Sequence, residues 1–235
     1  MILYRREIRS PWIQLEPKEK SHLRSLRLKE GDTLWVSDGN SHAYKGILRN
    51  DGLVEVDLQT PFEESKEQNV AIFSALPSGN RLDKMLDMAT QLGMSQFFPV
   101  IYQRSERKDW NKERMERIVM QAGSQSQRWS LPKLHPIIPF SELERYTSSF
   151  HYVFYLDVNP HANLTLTDLL NYVQNISLEE MALIVGPEGG FSEKEKQYLE
   201  KHFLGFRLAP NVLRIETAVL SALSVFFVLR ELIKK

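Results

Sequence analysis

The sequence predicts an α/β chain in which a small β-rich unit precedes a mostly parallel sheet covered by helices on both faces. Three observations predict it. Before residue 61, short runs of alternating apolar and polar residues are broken by Asp38-Gly39 and Asn50-Asp51-Gly52, both hairpin-type turns. After residue 69, strand-like and helix-like periodicities alternate. Ala182 to Val185 is continuously apolar, the pattern of a strand buried on both faces of a parallel sheet.

Thr33 to Ser37, His42 to Leu48 and Leu53 to Leu58 read as the strands of the first unit. A helix enters at Pro17, carries His22, Leu23, Leu26 and Arg27, and is expected to stop at Gly31. Pro61 to Asn69 (PFEESKEQN) is polar, acidic and without periodicity, so it reads as a linker dividing the chain into domains at 1–68 and 69–235. In the second domain Val70 to Leu76 reads as a strand. Asn80 is expected to cap a helix with Leu82, Met85, Leu86, Ala89 and Leu92 on one face, closed by Gly93. There follow a strand at Phe97 to Tyr102, a long amphipathic helix from Asn111 to about Arg128, and a strand at Tyr152 to Leu156. A helix at Thr165 to Val173 leads to the strand ending at Val185, a helix starts at Ser192, and a short strand covers Phe206 to Leu208. A final helix from about Glu216 is apolar nearly all round, so it is expected to be buried, with a subunit interface as one place for it.

The 235 residues suffice for two cores, and 42% hydrophobic with 26% charged residues is ordinary globular composition. Absence of cysteine excludes disulfides and thiolate metal sites and fits a reducing cytoplasm. The six histidines are scattered, with no i,i+4 pair, so no metal centre is expected. The N-terminus is charged at once and lacks a signal-peptide core, and Ala218 to Leu229, interrupted by Ser221 and Ser224, is shorter than the ~20 apolar residues a bilayer span requires; no membrane association is expected. Thirty basic residues balance thirty acidic ones, which excludes a gross polycation. Up to Lys29, however, Arg5, Arg6, Arg9, Lys18, Lys20, Arg24, Arg27 and Lys29 face only Glu7, Glu16 and Glu19. That excess makes Arg5, Arg6, Arg24 and Arg27 candidate phosphate contacts, although such a run also fits a plain solvated face.

The most informative segment is Leu183 to Ser192, LIVGPEGGFS: a buried strand, a glycine loop and a helix start. Gly186, Gly189 and Gly190 allow positive φ and close approach of backbone amides to a ligand, and Ser192 with Glu195 forms an S-x-x-E capping box. By itself the loop fits a tight turn as well as a binding site. It lacks the Gly-Lys-Ser/Thr of a P-loop and the spacing of a dinucleotide fingerprint, so nucleotide hydrolysis and nicotinamide chemistry are disfavoured. Leu208 to Leu223, LAPNVLRIETAVLSAL, is a second loop that passes directly into a helix.

GPEGGFSEKE followed by LAPNVLRIETA resembles the RsmE-like family, the small-subunit ribosomal RNA uracil-N3 methyltransferases of the SPOUT superfamily. The resemblance covers essentially the whole chain. His22-Leu23-x-x-Leu26-Arg27 with Gly31-Asp32 and Asp38-Gly39 resembles that family's N-terminal PUA-like barrel; Leu92-Gly93-Met94, Pro99, Arg104-Ser105-Glu106, and Gln125-Ser126-x-Arg128 with Pro132 resemble its middle segments. The chain departs from the family pattern at Gln91, Ser124, Ala209, Asn211 and Ile215, and Ala209 in place of glycine requires a negative φ there.

The resemblance implies a SPOUT methyltransferase domain with a deep trefoil knot, S-adenosyl-L-methionine as cofactor, a homodimer, and 16S rRNA or the small ribosomal subunit as partner. It implies that Leu156, Gly186, Pro187, Glu188, Gly190, Leu208, Ala209, Val212, Leu213, Thr217 and Ala218 hold the cofactor, that Gln125 and Arg128 join the RNA contacts, and that Trp129 is either a base contact or core. Uracil N3 carries a proton at neutral pH, so its methylation requires stabilising a uracilate anion. Arg214, permanently charged and set at the mouth of the last helix, is the first choice for that role, with pairing to Glu216 or a carbonyl as the alternative. Glu216 is expected to orient Arg214, cap the helix or act as base; no residue is identified as the general base. Fold does not set substrate, so methylation of another base or a ribose 2′-hydroxyl, and a catalytically inactive rRNA-binding assembly factor, remain the rival readings.

Overall fold

The computed structural model describes residues 2–5, 7–40, 42–63, 69–159, 168 and 180–233. These residues form two compact units, residues 1–67 with 120–131, and residues 68–119 with 132–235.

The first unit is built from β1 (Ile2–Tyr4), β2 (Trp12–Gln14), α1 (Pro17–Ser25), β3 (Thr33–Ser37), β4 (His42–Leu48), β5 (Leu53–Val56) and β6 (Phe62–Glu63). The sheet order is β1-β3-β4-β5-β2 with β6 beside β4, and only β1 and β3 pair in parallel. Period-2 alternation turns Leu34, Val36, Leu48, Val54 and Val56 inward, where they pack with Leu3, Leu15 and Leu23. The helix predicted to run to Gly31 ends at Ser25, because Arg27 takes the left-handed conformation (φ 58°) that reverses the chain earlier. The predicted linker is corrected in part: Phe62–Glu63 pairs with β4, and residues 64–68 lie outside the described residues. The strands β1, β2 and β6 have two or three residues each, too short to show any periodicity.

Residues 120–131 attach to this unit through polar bonds no sequence pattern announces. Ser124 Oγ donates to the Ile2 carbonyl (2.6 Å), Tyr4 Oη to that of Arg128 (2.5 Å) and Ser37 Oγ to that of Trp129 (2.5 Å). Gly123 permits the approach, since a Cβ there would lie 2.7 Å from Tyr4 Oη and 2.5 Å from Leu131 Cδ2.

The second unit contains β7 (Asn69–Ser74), α2 (Arg81–Gln91), β8 (Gln96–Ile101), the first part of α3 (Lys112–Gln125), β9 (Lys133–Leu134), β10 (Ile138–Pro139), α4 (Leu143–Thr147), β11 (Tyr152–Leu156), β12 (Glu180–Val185), α5 (Glu193–His202), β13 (Leu204–Phe206) and α6 (Ile215–Ile233). All its strand pairs are parallel, in the order β10-β8-β7-β12-β11-β13 with β9 beside β8. Met181 to Val185 and Val70 to Ser74 are buried throughout, as strands covered on both faces must be. The register aligns Val185 with Leu156 and Ser74, and Leu156 with Phe206. The carboxyl ends of four strands therefore share one edge, and the loops bearing both sequence motifs leave from it.

Two helix expectations are corrected here and a third is left untested. Asn80 occupies the cap position of α2, but its side chain makes no capping hydrogen bond. Of the helix predicted at 165–173 only Asp168 is among the described residues, and it is helical. The last helix buries Ala218, Val219, Ala222, Leu223, Phe226 and Leu229, yet Thr217, Ser224 and Val228 (61% exposed) leave one stripe uncovered. Gly93 closes α2 at φ 94°, and the Phe227 ring of α6 fills the space a side chain there would need. The last predicted strand is displaced, from 206–208 to Leu204–Phe206. No described helix is long and apolar enough to cross a membrane, and no group of three or more potential metal ligands occurs among the described residues.

Candidate active site

At the shared carboxyl edge, a cleft with about 700 Å³ of atom-free space, the part open to solvent included, lies between the 186–191 loop, the 208–213 loop and the end of β11. Its lining contains Leu156, Gly186, Pro187, Glu188, Gly190, Leu208, Ala209, Val212, Leu213 and Ala218. Of the residues expected around a cofactor, Thr217 alone is absent from the lining; one turn into α6, it faces outward. Sequence reading missed Asp157, Val158, Val185, Phe191, Phe206, Asn211 and Ile215. Position just beyond or at a strand's carboxyl end was the usable signal for Asp157, Val158 and Val185.

The glycines act differently from one another. Of the loop's Gly186, Gly189 and Gly190, only Gly190 has a positive φ (70°), and nothing lies within 4 Å of a Cβ built on it. Gly186 is instead required by proximity, since its Cβ would stand 2.8 Å from the Phe191 ring. Ala209 is not among the residues with positive φ, so alanine is compatible with the loop.

The 186–192 loop is fastened at three points. At its end, Ser192 caps α5: its Oγ accepts from the Glu195 amide, while the Glu195 carboxylate accepts from the Ser192 amide (2.7 Å) and Ser192 Oγ (2.9 Å). The other Glu195 oxygen accepts from the Gln103 amide (2.7 Å), tying the loop to the segment after β8. Burial and the nearby Glu195 charge push the Tyr102 hydroxyl well above its usual range. Second, Arg104 Nη1 donates to the carbonyls of Gly189 (3.0 Å) and Phe191 (3.2 Å). Third, Arg81 Nη2 donates to Glu188 Oε1 (2.9 Å), and Arg81 Nη1 lies 3.8 Å from Glu216 Oε2. Glu216 thus faces Arg81, which sequence reading passed over, and not Arg214. Arg214 is exposed at the mouth of α6, and its side chain has no hydrogen-bond or ion-pair partner among the described residues.

The residues proposed for RNA belong to the first unit. Arg24, Arg27 and Gln125 are exposed. Arg5 is committed to a bidentate pair with Glu19 (2.7 Å for each bond), and Arg128 is buried at 8% exposure. Arg6 lies outside the described residues. Trp129 packs edge-on against Trp35 (centroids 4.7 Å apart) and beside Phe62 (5.0 Å), a half-buried aromatic cluster.

Fold and cleft define a two-unit α/β protein whose small-molecule site sits on the carboxyl edge of a parallel sheet. Residues 64–227 match the model of the RNA methyltransferase domain and residues 15–59 that of the RNA methyltransferase PUA domain. The chain belongs to this RNA methyltransferase family, with an N-terminal PUA-like domain. It is 30% identical over 241 residues to Ribosomal RNA small subunit methyltransferase E of Aquifex aeolicus, spanning 95% of this chain and 97% of that protein. The Bacillus subtilis protein of the same name is 26% identical over 240 residues, spanning 96% and 93%. The crystal structure of Ribosomal RNA small subunit methyltransferase E from Neisseria gonorrhoeae bound to S-adenosyl methionine superposes with a TM-score of 0.78 at 26% identity, covering 97% of each chain.

Proposed function

We propose that this chain methylates N3 of a uridine in 16S rRNA of the small ribosomal subunit, using S-adenosyl-L-methionine. The observation that carries the reading is the cleft itself: the two motif loops, distant in sequence, form one cavity on the sheet edge, in a chain that superposes on a relative crystallised with that cofactor.

The cleft's residues fit the cofactor's chemistry. Leu156, Val185, Phe206, Val212, Leu213 and Ala218 provide apolar walls suited to a purine, while the glycine loop leaves backbone groups accessible at the rim. When bound, the cofactor supplies an activated methyl on a sulfonium. The protein's part is to hold the acceptor nitrogen in line and to stabilise the anion left when N3 loses its proton. In this reading Arg214, charged and unengaged among the described residues, supplies the cation for the uracil oxygens, and Glu216, which faces Arg81, is not the group that orients Arg214. The remaining assignments belong to the same proposal. The first domain, 1–68, binds RNA with Arg24, Arg27 and Gln125 as its exposed contacts; 69–235 carries catalysis and the knot; the exposed stripe of α6 enters a homodimer; and the protein works in the cytoplasm.

The test supplies isotopically labelled cofactor to small subunits, or to naked 16S rRNA, from a strain lacking the enzyme, and maps the product by reverse-transcription arrest. Methyl on N3 blocks Watson–Crick pairing and stops the transcriptase, whereas a ribose methyl does not block pairing; labelled RNA without arrest refutes the proposed site of transfer. Arg214→Ala is expected to lower the single-turnover rate while leaving cofactor affinity close to wild type, and loss of affinity instead would make Arg214 structural.

A further inference from the structure

Arg81 opens α2, where a cation meets the positive end of the helix dipole, an unfavourable placement. Something must offset that placement. Its guanidinium is anchored on its own loop, with Nε donating to the Ser78 carbonyl (3.2 Å) and Nη2 to Ser78 Oγ. From this anchor it reaches Glu188 in the 186–190 loop at 2.9 Å and Glu216 at the start of α6 at 3.8 Å. The three side chains are only 26%, 28% and 16% exposed, so solvent screens them less than a surface pair. Glu216 Oε2 is buried and accepts no hydrogen bond, which leaves the Arg81 charge as its compensation among the described residues. Without the cation, two carboxylates from the two cleft-forming segments would face each other unneutralised.

We propose that Arg81 is a positioning residue for methyl transfer: one guanidinium holds Glu188 and Glu216, and through them keeps the two loops of the cleft at the spacing that binds S-adenosylmethionine. Glu188 thereby acquires a role, as the cleft-lining acid through which Arg81 acts on the 186–190 loop. The inference rests on reading the cleft as the cofactor site.

The test is calorimetric titration of S-adenosylmethionine into the full-length wild type and the variants Arg81→Met, Arg81→Lys, Glu188→Gln and Arg81→Met with Glu188→Gln, with a thermal melt of each. Arg81→Met keeps the length and removes the charge; it is expected to bind about tenfold more weakly, a loss of about 1.4 kcal/mol. Arg81→Lys, which retains a cation for Glu188, should stay within about threefold of wild type. The double variant should lose no more than the worse single variant, because both changes break one linkage. Wild-type affinity in Arg81→Met, equal loss in Arg81→Lys and Arg81→Met, or additive losses in the double variant would each overturn the proposal. If Arg81→Met fails to fold, the comparison of Glu188→Gln with wild type decides, and unchanged affinity there overturns it. Failure of the wild type to bind S-adenosylmethionine would instead sink the reading of the cleft, and this inference with it.

Discussion

Replacing Glu195 by alanine tests the account of how the cofactor loop is held. Glu195 is 5% exposed, and its carboxylate accepts from the amides of Gln103 and Ser192 and from Ser192 Oγ. The hydroxyl can rotate to another partner; the amides cannot. Each buried donor left without an acceptor costs about 1–3 kcal/mol, so two amides amount to about 2–6 kcal/mol, and relief from burying a carboxylate takes back part of it. The expected net loss is about 3 kcal/mol. For a chain of this length about 2–4 °C accompanies each kcal/mol, which places the fall in Tm at about 6–12 °C. Circular-dichroism melts measure that fall, and hydrogen exchange of the Gln103 and Ser192 amides locates it: both amides should lose protection ahead of the β12 amides. Glu195→Gln, retaining one acceptor oxygen, should fall between alanine and wild type. A loss below about 1 kcal/mol with both amides still protected would refute the reasoning, because Glu195 would then be an ordinary cap residue.

Gly186→Ala should weaken S-adenosylmethionine binding more than Gly190→Ala, since the first drives a methyl into the Phe191 ring that lines the cleft, whereas the second pays only backbone strain of about 1–2 kcal/mol; calorimetry giving the reverse order would be contrary to the geometry. His135 is held down to about 4 by burial and by Lys133 and Lys112, below the ~6.5 of an unfolded histidine. Its contribution to stability is therefore complete above about pH 6.5 and is lost as pH falls toward 4; discounted for its partly exposed ring, it amounts to about 1 kcal/mol, and urea titrations should show a shallower acid loss in His135→Gln. Burial raises Glu19, but hydrogen bonds from Arg5 and the Glu16 amide outweigh it and hold the carboxyl below its usual range. The stability Glu19 supplies is thus present above about pH 4.5 and lost below it, and Glu19→Gln should cost about 1 kcal/mol at pH 7, read by melts at both pH values.

Legibility followed the length over which a physical pattern repeats. The strand 152–156 was readable to the residue, and the capping box at Ser192 was readable because its partners are three residues apart. Strands of two or three residues and the attachment of 120–131 to the first unit were not, since Ser124 meets Ile2 and Tyr4 meets Arg128 across more than a hundred positions. In the candidate site, loop residues were visible through their motifs. Arg81 was not, because it lies outside both motifs and its partners Glu188 and Glu216 are brought to it only by the packing of α2, the 186–190 loop and α6.

What the sequence by itself determined was the parallel α/β character of the second domain, the β-rich first unit, the two cleft-forming loops and the family. Each is written in local spacing: runs buried on two faces, glycines at a sheet edge, a capping box, motifs of fixed length. Tertiary structure alone decided which glycine is left-handed and which is merely crowded, that α6 keeps one exposed stripe, and that Glu216 answers to Arg81 and not to its neighbour Arg214. Those outcomes depend on distances between segments that only the parallel register of four strand ends brings together, and no local pattern encodes such a distance.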